Sequence, residues 1–323
     1  MPDVKQLIAS RVSLAPMAGI TDYVLRSLVR KYSKACLITT EMISSEALTQ
    51  VKDTLITERD KNHTPISYQL SGHKPEMIAN CAEYLQKYAD MIDINMGCPV
   101  NKVVKGTDGA GLMRKPELAE QIVKTVKSRI KIPLSVKFRL GYTADEMNFV
   151  EFGERMQSAG ADFITIHART RSQMYGGKAD WKKIAELKRN VDIPVFANGD
   201  VVSIETAEQC LEESHADGIA IGRGVLGDVT LISRIERYLN NGEYLPPPTL
   251  EEKIEGIKTH LLKEIEFRGE KTGIKFTRKF YPYYVNGFPG ASKLRGELVT
   301  MENLNEILKL LDSILFETAS EIC

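Results

Sequence analysis

Apolar and polar residues alternate along much of the chain. Ile92-Asp93-Ile94-Asn95, Val136-Lys137-Phe138-Arg139 and Ile164-Thr165-Ile166-His167 each change character at every position. Successive side chains on a strand point to opposite faces, so each run has one apolar and one polar face. Eight β-rich runs can be delimited, at residues 12–15, 35–40, 66–70, 91–95, 134–139, 163–167, 194–198 and 218–221. Between them, amphipathic stretches at 21–32, 75–88, 116–130, 145–158, 180–188 and 203–213 have helical spacing. Pro75 and Pro116 suit first helical turns, and Asp180 and Ser203 suit N-caps. Eight strand–helix units predict an α/β fold, a (β/α)8 TIM barrel, with a doubly wound open sheet as the alternative. The apolar phase should face the helices and the polar phase the lumen. Gln69, Asn95, Lys137, Arg139, His167 and Asn198 crowd toward the strand ends. In a barrel these ends converge on the mouth that carries active sites. Taken singly, Asp93 with Lys137 or Arg139 also reads as an ion pair inside the barrel, and His167 as a core histidine.

The pattern changes at residues 238–249, YLNNGEYLPPPT. Glycine and a triple proline cannot continue a helix, and they stiffen a connection. The predicted organisation is a barrel over 1–241, a linker over 242–249 and a helical bundle over 250–323, with helical patterns at 250–267 and 300–316. Between those two patterns, residues 271–295 hold Lys271, Lys275, Arg278, Lys279, Lys293 and Arg295 and no acidic residue. Phe276, Phe280, Tyr281, Tyr283, Tyr284 and Phe288 are interleaved. The mix suits phosphate contact and base stacking. It equally suits a solvated helix face whose aromatics pack against the barrel.

The 323 residues carry a formal net charge of zero. Neutrality counts against nucleic-acid binding over the whole surface, yet leaves room for a local basic patch. The five cysteines are odd in number and scattered, which argues against a disulfide framework. No CxxC or Cys/His cluster suggests a metal site. The opening MPDVKQLIAS lacks the apolar core of a signal peptide, and no stretch is long and apolar enough to cross a bilayer. The expectation is a cytoplasmic protein with no membrane attachment.

The candidate chemistry centres on Cys98, which follows the run at 91–95 between Gly97 and Pro99. Pro99 biases Cys98 away from helix, and Gly97 permits close backbone approach. A shaped loop at a strand end is where α/β enzymes keep reactive groups; a free cysteine is also often a small core hydrophobe. Two later strands end in Asn198-Gly199-Asp200 and Gly222-Arg223-Gly224. Loops after the last two strands are this barrel's habitual phosphate site, where glycines expose backbone N–H groups and Arg223 adds charge. Residues 222–227 also fit G-x-G-x-x-G, but no strand with an acidic residue follows at Rossmann spacing. Lys102, Lys105, Arg114, Arg171 and Lys178 supply positive charge near the mouth.

Over nearly its whole length the chain resembles the tRNA-dihydrouridine synthase family, most of all its bacterial B-type branch. The resemblance rests on residues 14–22 (LAPMAGITD), 95–99 (NMGCP), 136–141 (VKFRLG), 167–171 (HARTR), 198–201 (NGDV) and 221–224 (IGRG). It implies an FMN-binding barrel and a C-terminal helical domain that helps hold tRNA. By motif, Pro16, Met17 and Ala18 line the flavin, and Gln69, Lys137 and His167 contact its ring. Asn198, Gly199, Asp200, Gly222 and Arg223 hold the ribityl chain and phosphate, and Cys98 is the catalytic acid. Asn95, Arg139, Arg169, Arg171, Arg278, Lys279 and Arg295 fall to substrate and tRNA. NADPH is the expected electron donor, with NADH possible, and the chain is expected to act as a monomer with no protein partner. The family often has His after Arg-Lys, where this chain has Phe280.

The implied reaction adds hydride to C6 of uracil and a proton to C5 from the opposite face. A thiol with pKa near ~8.5 is mostly protonated at neutral pH and can donate that proton. Lys137 would favour negative charge at the pyrimidine edge of the flavin. The base must leave its stack, at a cost of about a few kcal/mol. Two other readings compete: a dihydroorotate-dehydrogenase-like flavin barrel acting on a free small molecule, which has no use for 271–295, and a non-catalytic RNA-binding module.

Overall fold

The computed structural model describes residues 3–50, 62–104, 107–288 and 290–320. Its strands are β1 (Val12–Leu14), β2 (Leu37–Thr39), β3 (Ile43–Ser44), β4 (Ile66–Ser71), β5 (Met91–Met96), β6 (Leu134–Arg139), β7 (Phe163–His167), β8 (Val195–Asn198) and β9 (Gly218–Ile221). All pair in parallel. β1 lies between β2 and β9, and the sheet closes where Ile38 and Thr39 of β2 meet Ile66 and Ser67 of β4. Eight strands thus form a closed parallel barrel inside its helices, as the eight periodic runs predict. An open doubly wound sheet would leave β2 and β4 unpaired. β3 is additional: two residues beside the end of β4, too short to carry a period.

The strand phases fall as expected in the upper barrel. Ile92, Ile94, Val136, Phe138, Ile164 and Ile166 are fully buried among the helices. The lumen is not polar throughout, however. Leu37, Met91, Phe163, Phe196 and Ala220 form a separate apolar plug with Leu7 and Ile8. Phe163 and Phe196 meet edge-on, with centroids 4.9 Å apart. This closed end must be packed without water, so its inward positions are apolar.

Local rules explain most helix starts. Pro75 and Pro116 open Pro75–Leu85 and Pro116–Arg129. Ser203 and Thr206 form a capping box on Ile204–Ser214. Asp180 occupies the N-cap position of Trp181–Lys188 but makes no side-chain cap bond.

Residues 242–249 carry no regular element. The helices Leu250–Arg268, Glu270–Thr277, Tyr281–Tyr284, Ala291–Leu298 and Leu304–Ser320 follow. Phe280, Tyr281, Tyr284 and Phe288 are buried, and only Tyr283 of the interleaved aromatics is exposed. The aromatic series is therefore chiefly core, which corrects the stacking reading. Phe280 packs on His260, with ring centroids 4.5 Å apart, so this position does not face RNA.

The helical part docks on the barrel through a buried polar cluster. Arg268 pairs with Asp22 and donates from Nε to Glu264 Oε2 at 2.7 Å. Tyr284 OH and His260 Nδ1 share a hydrogen bond of 2.8 Å behind it. Burial, then repulsion from Glu264, pushes the Asp22 carboxyl up to about 6. Asp22 also caps Tyr23–Tyr32 by accepting from Leu25 N, so one carboxylate serves both parts.

Gly273 sets the approach of Glu270–Thr277 to Leu250–Arg268: a Cβ there would lie 2.6 Å from Ile265 N and Cα. Gly273→Ala gains about 1 kcal/mol of helix propensity but overpacks backbone, at about 1–3 kcal/mol. A lowered melting temperature is expected in thermal denaturation, and an equal or raised one would contradict this packing.

Candidate functional site

The polar strand ends meet in register at the mouth. Asn95 lies beside Lys137, Arg139 beside His167, and His167 beside Asn198. Lys137 Nζ donates to Asn198 Oδ1 at 3.0 Å. Below them, Ser13, Thr39, Asp93, Ser135, Lys137 and Thr165 help line a space of ≈ 10 Å³, about one water.

Cys98 is half-buried on the loop after β5. Asn95 Oδ1 accepts from Gly97 N at 3.2 Å and Cys98 N at 2.9 Å, and Ala110 N donates to Cys98 O at 3.0 Å. Arg139 Nε donates to Gly97 O at 2.7 Å, and its Nη1 reaches the carbonyls of Thr170 and Met174. Gly109 is needed beside the thiol: its φ is +56°, and a Cβ there would lie 2.9 Å from Cys98 Cβ. Behind the loop, Asn95 Nδ2 donates to Gln69 Oε1 at 2.8 Å and Gln69 Nε2 to Asp93 Oδ2 at 2.6 Å. Ser135 Oγ donates to Asp93 Oδ1 at 2.6 Å. Asp93 thus sits among neutral donors rather than in a direct ion pair.

Burial dominates the electrostatics. It pushes Lys137 down to about 8, helped by Arg139 and opposed by Asp93 and Cys98. It pushes Arg139 down to about 10. His167 falls well below the usual histidine value through burial and the charges of Arg139, Lys137, Arg169 and Arg223, so it is neutral at physiological pH. Burial raises the Asp93 carboxyl against the pull of Ser135, Gln69 and Lys137.

Two residues past His167, Arg169 is buried. Its Nε donates to Gly176 O at 2.9 Å, and its Nη2 to Gly177 O and Asp200 Oδ2, each at 2.7 Å. Burial tends to raise Asp200, but bonds from Arg169 and Ala179 N outweigh it and hold the carboxyl low. Gly199 and Asp200 both have positive φ, +127° and +57°. Arg223 is half-exposed, with Nη2 3.7 Å from Asp200 Oδ1. Pro16 and Met17 are half-buried and Ala18 is exposed on the loop after β1. Gly222 faces Met17 Sδ at an ordinary contact distance, 3.6 Å for an added Cβ.

Arg171 is partly buried, bonded to Asn101 and near the Tyr142 ring. Arg114 is exposed, paired with Glu146 and stacked on Tyr142. Lys178 is exposed; the side chain of Lys102, and Lys105 altogether, lie outside the described residues. In the helical part, Arg278 donates to Met301 O at 2.9 Å, and Lys279 turns to Gly19 O and the Phe276 ring. Arg295 is exposed and far in sequence from this group. Lys271, Lys275 and Arg278 line a cleft of ≈ 300 Å³ with Glu270, Ile274 and Glu302.

Sequence reasoning missed Tyr175. It is 50 % exposed, with Arg139 and Arg223 guanidinium carbons 5.6 and 5.2 Å from its ring centre and the His167 ring 6.4 Å away. It lies in a loop, between Met174 and Gly176, with no strand or helix period to place it, so only folding brings it to the mouth.

Lys137 carries a pH signature. The folded protein releases its proton near pH 8, whereas the ordinary value is 10.5. Between these values the unfolded chain binds more protons, so stability rises with pH there. The melting temperature of the cofactor-free protein relative to Lys137→Met should shift in the parent's favour from pH 7 to pH 9; a pH-independent difference would contradict the shifted lysine.

Residues 13–320 match the family model described as dihydrouridine synthase. The chain is 41% identical over 317 residues to a probable tRNA-dihydrouridine synthase 1 of Synechocystis, covering 97% of this chain and 88% of that protein. It is 34% identical over 299 residues to tRNA-dihydrouridine synthase B of Pseudomonas aeruginosa, covering 92% and 90%. Among solved structures, a 2-naphthoyl-CoA reductase complex superposes with TM-score 0.55 at 11% identity, over 72% of this chain and 50% of that one, a likeness of fold.

Proposed function

Because the chain belongs to the dihydrouridine synthase family, we propose that the barrel mouth is where it reduces uridine in tRNA to 5,6-dihydrouridine. It is a flavin-dependent oxidoreductase of tRNA modification. Our reading extends this to FMN as the flavin, NADPH or NADH as the electron donor, and a cytoplasmic monomer as the acting form.

The mouth's chemistry suits FMN. Arg169 Nη1 is a buried donor with no partner, next to Gly199 and Asp200. Gly222 and Arg223 offer backbone room and a charge for a phosphate, and Gly199 lets the chain turn tightly against Ala179 and His167 beside them. Pro16, Met17 and Ala18 would wall one side, and Asn198 and Asp200 would hold the ribityl hydroxyls. Gln69, Lys137 and neutral His167 supply donors for ring oxygens and nitrogens. When bound, reduced FMN supplies the hydride that reaches C6 of uracil.

The observation that carries the reading is the placement of Cys98. It is the one half-buried thiol among the described cysteines, on a loop whose backbone is held by Asn95 and Arg139, while Cys36, Cys81 and Cys210 are buried. Cys98 delivers a proton to C5, and Asn95 and Arg139 keep the loop in place while it does so. Lys137 favours negative charge at the flavin's pyrimidine edge. Arg171, with Arg114 nearby on Tyr142, faces the approaching RNA. The helical part at 250–323 holds tRNA beyond the linker 242–249. Lys271, Lys275, Lys293 and Arg295 are the exposed cations of its segment 271–295, whereas Arg278 and Lys279 are partly engaged by Met301 O and Gly19 O.

Cys98→Ala should keep its flavin yet form dihydrouridine at least about 10²-fold more slowly, the usual scale for losing a general acid. Dihydrouridine measured by nucleoside mass spectrometry at the parent rate would remove the proton-donor role. Lys271→Ala with Lys275→Ala should lower the salt slope of tRNA affinity by up to about 1.8, two phosphate contacts' worth. An unaltered slope would locate the RNA surface elsewhere.

A further inference from the structure

The hydrogen bonds behind Cys98 form one directed chain. From the thiol's end, two backbone N–H groups point at residue 95, so its amide must present Oδ1 there. Asn95 Nδ2 then faces Gln69, which must present Oε1. Gln69 Nε2 in turn faces residue 93, which must accept. Asp93 does so, and its other oxygen accepts from Ser135. Gln69 and Asp93 are buried and Asn95 is 9 % exposed, so water does not readily replace a lost partner. An amide has one accepting and one donating end; if either one turned over, two oxygens or two N–H groups would face each other.

We propose that Asp93 is a positioning residue for the reaction: its carboxylate orients Gln69 and Asn95, and through them fixes the Cys98 loop. Asp93 is buried beneath the mouth, its carboxylate bonded to Gln69 and Ser135, and is assigned no contact with the reacting groups. It sits two residues below Asn95 on the same inward face of β5 and beside Gln69 in register. The strand ladder holds both backbones, and the loop N–H groups polarise the amides from one end while the acceptor at 93 completes the chain at the other by giving Gln69 Nε2 its partner. The same orientation presents Gln69 and Asn95 to the mouth with one defined donor–acceptor pattern. This proposal rests on the reading of Cys98 as proton donor.

The test compares Asp93→Asn with Asp93→Leu in the flavin-loaded protein. Asp93→Asn can turn its Oδ1 to Gln69 and its Nδ2 to Ser135 Oγ, so the chain survives and most of the parent rate is retained. Asp93→Leu removes the acceptor. Its reduced flavin should be reoxidised by tRNA about 10²-fold more slowly, the cost of a displacement of about 1 Å at a reacting group. Iodoacetamide should also alkylate Cys98, followed by peptide mass, faster in Asp93→Leu than in the parent, but not in Asp93→Asn. Parent-like reoxidation and alkylation in Asp93→Leu would overturn the proposal.

If Asp93→Leu does not hold flavin, a second pair decides. Asn95→Asp still accepts from the Gly97 and Cys98 amides, but leaves Gln69 between two carboxylates. Adding Asp93→Asn lets Gln69 turn its Nε2 toward the new carboxylate and accept from the new amide. The double variant should recover at least tenfold over Asn95→Asp alone; no recovery would overturn the proposal. Cys98→Ala, run alongside, separates the two readings. Parent-rate turnover there removes the proton donor itself. An inert Cys98→Ala with parent-like Asp93→Leu removes only the role of Asp93.

Discussion

Closure of the sheet between β2 and β4 is the constraint on which the rest depends. A closed parallel barrel leaves no free edge, and it forces every second residue of every strand into one shared lumen. The lumen is then divided along its axis. One end is filled by Phe163, Phe196, Leu37 and Met91, and the other collects Gln69, Asn95, Lys137, Arg139, His167 and Asn198. Packing the polar residues at one mouth depresses the lysine and the histidine together, because both are out of water and both lie in the field of Arg139. That environment makes His167 a neutral hydrogen-bonding group and leaves Lys137 able to respond to charge on a bound ring.

The strand runs were legible because alternation is a backbone property that survives folding. Seven of the eight predicted runs overlap the observed strands nearly end to end, and residues 35–40 contain β2. The missed features have specific physical causes. β3 is too short for a period, and the apolar plug uses inward positions whose depth in the barrel cannot be read from a single strand. Arg139 and Arg169 look like free cations in sequence, yet their partners are largely backbone carbonyls of loops they do not announce. The aromatics after Lys275 suggested stacking on bases, but the helices bury most of them against each other and His260. Composition alone does not separate those outcomes. The residues proposed to cradle flavin, and Cys98, stand out as motifs, while the hydrogen bonds that hold the Cys98 loop do not.

The helical part and the barrel are joined by charges that lie far apart in sequence. Arg268 reaches Asp22 across 246 positions, and Lys279 reaches Gly19 across 260. Both contacts land on the loop after β1 that also carries Pro16, Met17 and Ala18. A surface proposed to hold RNA is therefore fastened to a wall proposed to hold flavin. Buried ion clusters of this kind add little net stability but penalise misalignment strongly, because any displaced partner leaves a charge unpaired. The arrangement keeps the two surfaces in fixed relation to each other.

The most direct measurement of the central claim follows the flavin absorbance of the reduced protein, without oxygen, after mixing with unmodified tRNA or with free uridine. The account predicts rapid return of the oxidised spectrum with tRNA, one dihydrouridine formed per flavin, and negligible return with uridine. A protein that binds no flavin, or whose reduced flavin responds equally to both, would contradict it.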